Sequence, residues 1–310
     1  MSLFVQQHAT PSAFTSAPWV ILTPIEQRIK EKIEAVGTPL KDWDIQIYRG
    51  VLTGCNEAFI IDTAKRDEIL ANCQTEDERR RTEALIRPIL RGRDIKRYGY
   101  DWAGLWLIFI PWHFPYQFDT SIIGASEKAE KAFQEQYPSV YQHMTKYKER
   151  LSKRNKAETG IRYEWYAMQR WGAQYWEDFD KPKIIYPNMT KYMPFVYDDN
   201  SFVTNQKCFI VTGQNIAYLT AFFNSSLFKF CFRDTFPELL GGTRELSKIF
   251  FDKIPVLHID KAANNLFESR IKDIQEHYTI QQAKEIDELL FNLYNLTECE
   301  RQAVGFIEIK

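Results

Sequence analysis

Apolar residues recur along the chain with helical spacing in some stretches and with the compact runs of strands in others. A Thr-Pro-Ile-Glu capping box predicts a helix that begins at Pro24 and stops at Gly37, and a second box at Thr75 predicts another. Further helices are predicted at 126–156, 215–232, 260–278 and 280–294. Strands are predicted at 45–49, 58–62, 104–110, 183–186, 194–197 and 207–211, and residues 248–257 are predicted to return to a sheet. This mixture predicts an α+β fold in which helices flank twisted mixed β-sheets and a helical segment ends the chain.

The chain is long enough for one large domain or for two lobes, because 45% of its 310 residues are hydrophobic. We find no repeats and no Gly/Ser-rich linker that would mark a boundary. We divide the chain into an N-terminal lobe (4–135), a C-terminal lobe (136–258) and a final helical segment (259–310).

Positive charge is concentrated locally, although the formal net charge is only −1. Eight basic residues and two acidic residues lie between Arg79 and Arg97. Cations on an apolar backing are typical of surfaces that hold phosphates. The candidates for DNA contact here are Arg91, Arg93, Lys96 and Arg97. The alternative interpretation is a solvated face with an Arg–Asp pair that holds the turn at Gly92.

Four other segments offer side chains suited to DNA contact. Thr53 and Asn56 could bond base edges, although an ordinary turn explains them nearly as well. Arg162, Trp165 and Arg170 belong to an aromatic and basic segment that could stack on bases or pack in the core. The remaining candidates are Asn188 and Lys191 in one loop, and Arg244 and Lys248 beside the flexible Gly241–Thr243 loop. A plain surface loop is the alternative for the last pair.

The sequence contains no self-contained catalytic motif. GxGxxG, Walker A, HExxH and GxSxG are absent, as are the catalytic tetrapeptide of amino-methyltransferases and a PD…(D/E)xK nuclease pattern. The five cysteines are scattered without a CxxC pair, which favours a reducing compartment and argues against structural zinc. No signal peptide is visible, and the longest apolar run is far too short for a membrane span. We therefore expect no metal or cofactor in this chain and a cytoplasmic location.

Six strings in a fixed order resemble a known family. They are YRGVLTGCNEAFIID (48–62), RPILRGRDIKRY (87–98), YPSVYQHMTKYKERLSKR (137–154), FDKPKIIYPNM (179–189), AYLTAFFNSSLFKFCF (217–232) and GGTRELSKIFFDKIPV (241–256). Together they resemble the TaqI-like C-terminal specificity domain, the target-recognition region of type IIG restriction-modification enzymes and related adenine-N6 DNA methyltransferases.

The resemblance implies sequence-specific recognition of double-stranded DNA. It also implies an upstream methyltransferase domain that binds S-adenosylmethionine and, in many members, a Mg²⁺-dependent nuclease. The chain alone would then neither methylate nor cut DNA, and its last helices would dock against the catalytic domain. Loops 53–56, 162–170, 188–191 and 241–248 would reach the grooves. The alternative function is a protein-interaction or scaffold module whose basic stripe docks a partner. Replacing Arg91 and Arg93 with alanine is expected to weaken DNA binding with little change in thermal stability.

Overall fold

The computed structural model describes residues 23–308, and the predicted α+β fold is confirmed. Residues 1–22, and with them the start of the predicted N-terminal lobe, lie outside the described range. The helices of the described part are α1 (Pro24–Val36), α2 (Asn56–Phe59), α3 (Thr63–Ala71), α4 (Glu76–Leu85), α5 (Glu127–Gln136), α6 (Pro138–Thr145), α7 (Lys148–Lys153), α8 (Ile216–Asn224), α9 (Ser226–Phe232), α10 (Lys248–Phe251), α11 (Lys261–Glu276), α12 (Ile280–Leu293) and α13 (Glu298–Val304). Its strands are β1 (Thr38–Pro39), β2 (Ile45–Arg49), β3 (Ile60–Asp62), β4 (Ile86–Leu90), β5 (Leu105–Ile108), β6 (Lys183–Pro187), β7 (Met189–Thr190), β8 (Val196–Asp198), β9 (Val203–Thr204), β10 (Cys208–Gly213), β11 (Arg244–Glu245) and β12 (Pro255–Val256).

The strands form two four-stranded sheets and two short ribbons. The first sheet has the order β2-β10-β6-β8 and is antiparallel throughout. The second has the order β3-β5-β4-β9 and contains one parallel pair, β4 with β9. The ribbons pair β1 with β12 and β7 with β11. Mixed sheets were predicted, and the second sheet is one.

The first sheet is buried on both faces, because each face lies against a different hydrophobic cluster. Ile184 and Tyr186 of β6 belong to a cluster that includes residues of α8, α9, α11 and α12. Ile185 points to the opposite face, as alternate strand residues do, and joins a cluster formed with the second sheet. Both clusters contain residues from before and after position 136. The division into lobes at 135 and 258 remains a prediction.

Capping residues start the helices where the sequence predicts them. At α1 the Thr23 N–H donates to Glu26 Oε2 (2.6 Å) and the Glu26 N–H donates to Thr23 Oγ1 (3.3 Å), which is a complete capping box. At α4 the Thr75 hydroxyl accepts from the Glu78 N–H, but the Glu78 carboxylate accepts from Gln74 and Ser139 instead. The prediction of helix starts from these motifs is confirmed at both places.

Four predicted elements differ in detail from the structure. The strand expected over 58–62 begins only at Ile60, because Asn56–Phe59 is helical. The helix expected over 215–232 is two helices, since Ser225 is extended and its hydroxyl caps α9 through the Phe228 N–H. The helical stretch 126–156 is divided into α5, α6 and α7, with Pro138 at the first position of α6. In the segment 248–257, expected to return to a sheet, only Pro255–Val256 is a strand and Lys248–Phe251 is helical.

Between residues 23 and 308 the structure contains no disulfide bond, no metal-binding cluster and no membrane-spanning helix. All five cysteines are free thiols. No group of three or more His, Cys, Asp or Glu side chains in this range could hold a metal ion. No helix here combines the length and the apolar character needed to cross a bilayer.

Candidate nucleic-acid interface

Two adjoining depressions form one long groove across the ends of both sheets. The first has a volume of about 660 Å³ and the second about 740 Å³. Asn56, Glu57 and Gln206 line both of them, so the two depressions are continuous. The first is lined in addition by Ile60, Arg91, Gly92, Arg93, Leu105, Pro187, Asn188, Met189, Asn205 and Lys207, and the second by Leu52, Gly54, Cys55, Arg150, Lys153, Arg154 and Gln169. We call the two depressions together the groove.

The backbone at one wall of the groove is packed too closely for a side chain. A Cβ atom at Gly50, just after β2, would lie 2.2 Å from the carbonyl oxygen of Asn205. The chain can therefore leave β2 and pass beside residues 204–205 only with glycine at this position. This contact places the loop after β2 next to the loop between β9 and β10.

The loop 53–56 is fixed from inside the protein. Thr53 is buried, and its hydroxyl donates to Asn56 Oδ1 (2.7 Å). The guanidinium of Arg154 donates to the carbonyl oxygens of Thr53, Trp165 and Ala167. Burial lowers the pKa of Arg154 to about 10. Thr53 thus holds the loop, whereas Asn56 is exposed and lines the groove.

The basic turn after β4 contains one restrained and one free arginine. Arg91 grips the buried Asp94 through Nη2–Oδ1 (2.8 Å) and Nε–Oδ2 (3.0 Å), and this hydrogen bonding raises the pKa of Arg91. The predicted pair was Arg93 with Asp94; an Arg–Asp pair does restrain the turn, but Arg91 makes it. Arg93 is exposed and pairs with no carboxylate in the described part of the chain. Lys96 is exposed and lies 3.5 Å from Asp101.

Arg97 does not lie on the basic surface with its neighbours. It is 4% exposed, and its guanidinium donates to the carbonyl oxygens of Asn224 and Ile307. The predicted role of Arg97 as a DNA contact does not fit this position, because the side chain ties the α8–α9 junction to the end of the chain. Charge counting along the sequence cannot distinguish such an arginine from an exposed one.

The candidates near β7 and β11 also divide into surface and interior groups. Asn188 and Lys191 flank β7; Asn188 is only 6% exposed although it lines the groove, and Lys191 is exposed. Arg244 is buried between Asp234 and Glu238 (2.8 Å each) and donates to the carbonyl oxygen of Phe236. Its predicted role as a DNA contact beside a flexible loop does not fit this arrangement.

Lys248 is exposed, but its ammonium group is engaged on its own helix. It bonds both carboxylate oxygens of Asp252, one turn further along the chain, at 2.7 and 2.9 Å. Its positive charge is therefore largely balanced by a neighbour. Neither Arg244 nor Lys248 offers the free cation that the sequence suggested for this loop.

The aromatic and basic segment 160–176 is mainly a structural element. Trp165 is 7% exposed and donates its indole N–H to Glu130 Oε1 (2.7 Å). Arg162 and Arg170 are exposed but share the carboxylate of Glu158, which Arg170 holds through two bonds of 2.9 Å. Core packing, the alternative given for Trp165, is what the structure shows.

The groove also contains residues that the sequence analysis missed. Asn205, Gln206 and Lys207 occupy the turn between β9 and β10 and line its wall. The Gln206 Oε1 atom is buried without a hydrogen-bond partner, and Lys207 is exposed without a carboxylate partner among the described residues. The polar run Asn205-Gln206-Lys207, at the start of the strand predicted over 207–211, is the signal that could have identified them.

The first depression of the groove therefore brings four carboxamide side chains beside two unpaired cations, Arg93 and Lys207. Comparison with known families gives this arrangement a context. The sequence profile of the TaqI-like C-terminal specificity domain matches residues 87–256, more than half of the chain. The chain belongs to this family. The resemblance seen in the sequence is confirmed.

Solved structures with a similar fold include two restriction enzymes. The type IIG restriction endonuclease BpuSI is 12% identical, with 88% of this chain and 33% of that chain covered and a TM-score of 0.47. The type IIL restriction-modification enzyme MmeI, solved in complex with DNA, is 10% identical, with 86% and 35% covered and a TM-score of 0.50. The chain thus spans about a third of the length of these two proteins. No curated protein gives a significant match to the sequence.

Proposed function

We propose that this specificity domain recognises a particular sequence in duplex DNA and that the DNA lies in the groove. The observation that carries the proposal is the convergence of Asn56, Asn188, Asn205 and Gln206 in a groove that Arg93 and Lys207 flank. Carboxamides can read adenine edges in the major groove, and unpaired cations can neutralise phosphates. One enzyme of similar fold is described in complex with DNA, which agrees with this interpretation.

The geometry gives the residues different roles in this proposal. Arg93, Lys191 and Lys207 contact phosphates, because their charges are not balanced by carboxylates in the described structure. Asn56, Asn188 and Gln206 contact base edges. Arg91, Arg154 and Arg244 keep the surrounding loops rigid, since their guanidinium groups bond Asp94, three backbone carbonyls and two carboxylates respectively.

We further propose that the domain acts as one part of a cytoplasmic restriction-modification or DNA adenine methyltransferase enzyme. S-adenosylmethionine would bind a methyltransferase domain outside this chain, and Mg²⁺ a nuclease domain where one is present. The described residues do not fit a Mg²⁺ site, because no cluster of three or more acidic or metal-binding side chains occurs among them. Residues 259–310 would dock against the methyltransferase domain.

Selection from a random duplex pool, followed by titration at several salt concentrations, tests the DNA-binding function. The 310-residue chain should enrich a defined sequence. Its affinity should fall on the order of a thousandfold between about 50 and 200 mM salt if about six phosphates are contacted. Binding without sequence enrichment or without salt dependence would contradict the proposal and favour a protein-docking module instead.

A further inference from the structure

The loop that precedes β11 presents a fully exposed leucine at its tip. Leu240 lies between β11 and the residues that follow α9, and it is 98% exposed. Gly241 and Gly242 follow it with φ values of 76°, a conformation that lets the chain reverse there without steric cost. Exposing so large an apolar side chain is unfavourable in water, and the tip has no other apolar contact to offer except half-exposed Leu239.

The loop that carries Leu240 is firmly held at its base. Arg244 bonds Asp234, Glu238 and the carbonyl oxygen of Phe236, and the Leu239 N–H donates to the Thr243 carbonyl oxygen (2.6 Å). The residues at the two ends of the loop, Phe236 and Leu246, are completely buried. Leu240 is therefore presented by a braced structure. Because Arg244 is saturated by carboxylates, the tip offers an apolar side chain and no free cation of its own.

The same loop is linked to the groove through the ribbon formed by β7 and β11. β11 pairs with β7, and Glu245 lies opposite Met189, which lines the groove. The Leu246 N–H also donates to the carbonyl oxygen of Asn188 (2.8 Å), a groove residue. Lys191, one residue beyond β7, is exposed on this ribbon. DNA that lies in the groove and extends along the β7–β11 ribbon would therefore approach the loop that carries Leu240.

We propose that Leu240 is an apolar wedge that inserts into the base stack of DNA held in the groove. This inference rests on the proposed DNA-binding function. Apolar side chains that enter a base step unstack it partially and kink the duplex, and the unstacking costs free energy. DNA whose stacking is already interrupted avoids much of that cost. A wedge consequently binds such DNA more tightly than an intact duplex.

Anisotropy titrations with two labelled 30-base-pair duplexes of the same sequence, one intact and one with a central one-nucleotide bulge, test the wedge. We expect the wild-type chain to prefer the bulged duplex roughly tenfold. Leu240→Ala should lose this preference, and Leu240→Phe should restore it. Leu266→Ala is the matched control, because Leu266 is an exposed leucine on α11.

The outcomes separate the wedge from the function it rests on. Salt-dependent binding of both duplexes with equal affinity, or a preference that Leu240→Ala retains, would overturn the wedge and leave DNA recognition intact. The second result would show that residues other than Leu240 recognise the bulge. Failure of the wild-type chain to bind either duplex at low salt would overturn both. A thermal midpoint of Leu240→Ala equal to that of wild type confirms that the comparison is made on folded protein.

Discussion

Arginines that look equivalent in the sequence serve different purposes in the structure. Arg91, Arg93 and Arg97 lie within seven residues of one another. Arg91 bonds Asp94, Arg93 is exposed without a carboxylate partner among the described residues, and Arg97 is buried. Local charge density predicts where a basic surface lies. It cannot predict which guanidinium is used inside the protein, because the partners of Arg97 are backbone carbonyls of residues 224 and 307, far away in the sequence.

Replacement of Arg91 and of Arg93 should therefore affect stability differently. Arg91→Ala leaves the buried Asp94 carboxylate without its two guanidinium bonds and should lower the free energy of unfolding by about 1–3 kcal/mol. Arg93→Ala should change it by less than about 0.5 kcal/mol, because Arg93 is exposed. Urea denaturation of the two single variants makes the comparison. Equal stability of both variants would show that the Arg91–Asp94 pair contributes nothing, as the earlier expectation for the double replacement assumed.

At the scale of elements, the sequence predicted well what depends on neighbouring residues. The capping box at Thr23, the stop at Gly37 and strand β2 all follow from local patterns. The division between α8 and α9 was missed because the run from Ala217 to Phe232 is apolar on nearly every face. The division depends partly on a residue far away in the sequence. The Asn224 side chain accepts from the Phe195 N–H and donates to the Phe195 carbonyl oxygen, and these bonds hold the chain at the junction. Long-range bonds of this kind leave no periodic signal.

Helix α9 contains a lysine that should make the stability of the protein depend on pH. Lys229 is buried, and its Nζ donates to the carbonyl oxygens of Met193 (2.6 Å) and Phe223 (2.7 Å). Burial, with repulsion from Arg97 and Arg233, lowers the pKa of Lys229 well below its ordinary value of 10.5, against a weaker opposing effect of Asp287. At pH values between the lowered pKa of Lys229 and 10.5, the unfolded state binds one more proton than the folded state. The free energy of unfolding should therefore rise with pH there, by about 1.4 kcal/mol per pH unit.

Urea denaturation at several pH values below 10.5 measures this dependence as a difference between variants. Lys229→Met should remove the rise with pH, because methionine fills the site without a titrating group. Lys253→Met, at an exposed lysine, should retain the wild-type slope. A slope that is the same in wild type and Lys229→Met would mean that Lys229 stays charged in the folded protein.

For the molecule as a whole, the net charge of −1 conceals where the usable positive charge lies. Most cations near the groove are balanced: Arg91 by Asp94, Arg150 by Glu57 and Lys153 by Glu149. Arg93 and Lys207 remain free, and they come from distant parts of the chain that the two sheets bring together. The sequence could identify the first from its basic stretch. The sequence could not place Lys207 beside Arg93, because that requires knowing that β10 pairs with β6.

Removal of these two cations should change the salt dependence of DNA binding by a predictable amount. Each phosphate contact contributes about 0.9 to the slope of log affinity against log salt concentration, so Arg93→Ala with Lys207→Ala should reduce the slope by about 1.8. Lys253→Ala with Arg270→Ala removes the same charge from exposed positions that do not line the groove and should leave the slope unchanged. Equal reduction by both pairs would mean that only net charge matters, and the groove would then not be where the phosphates bind.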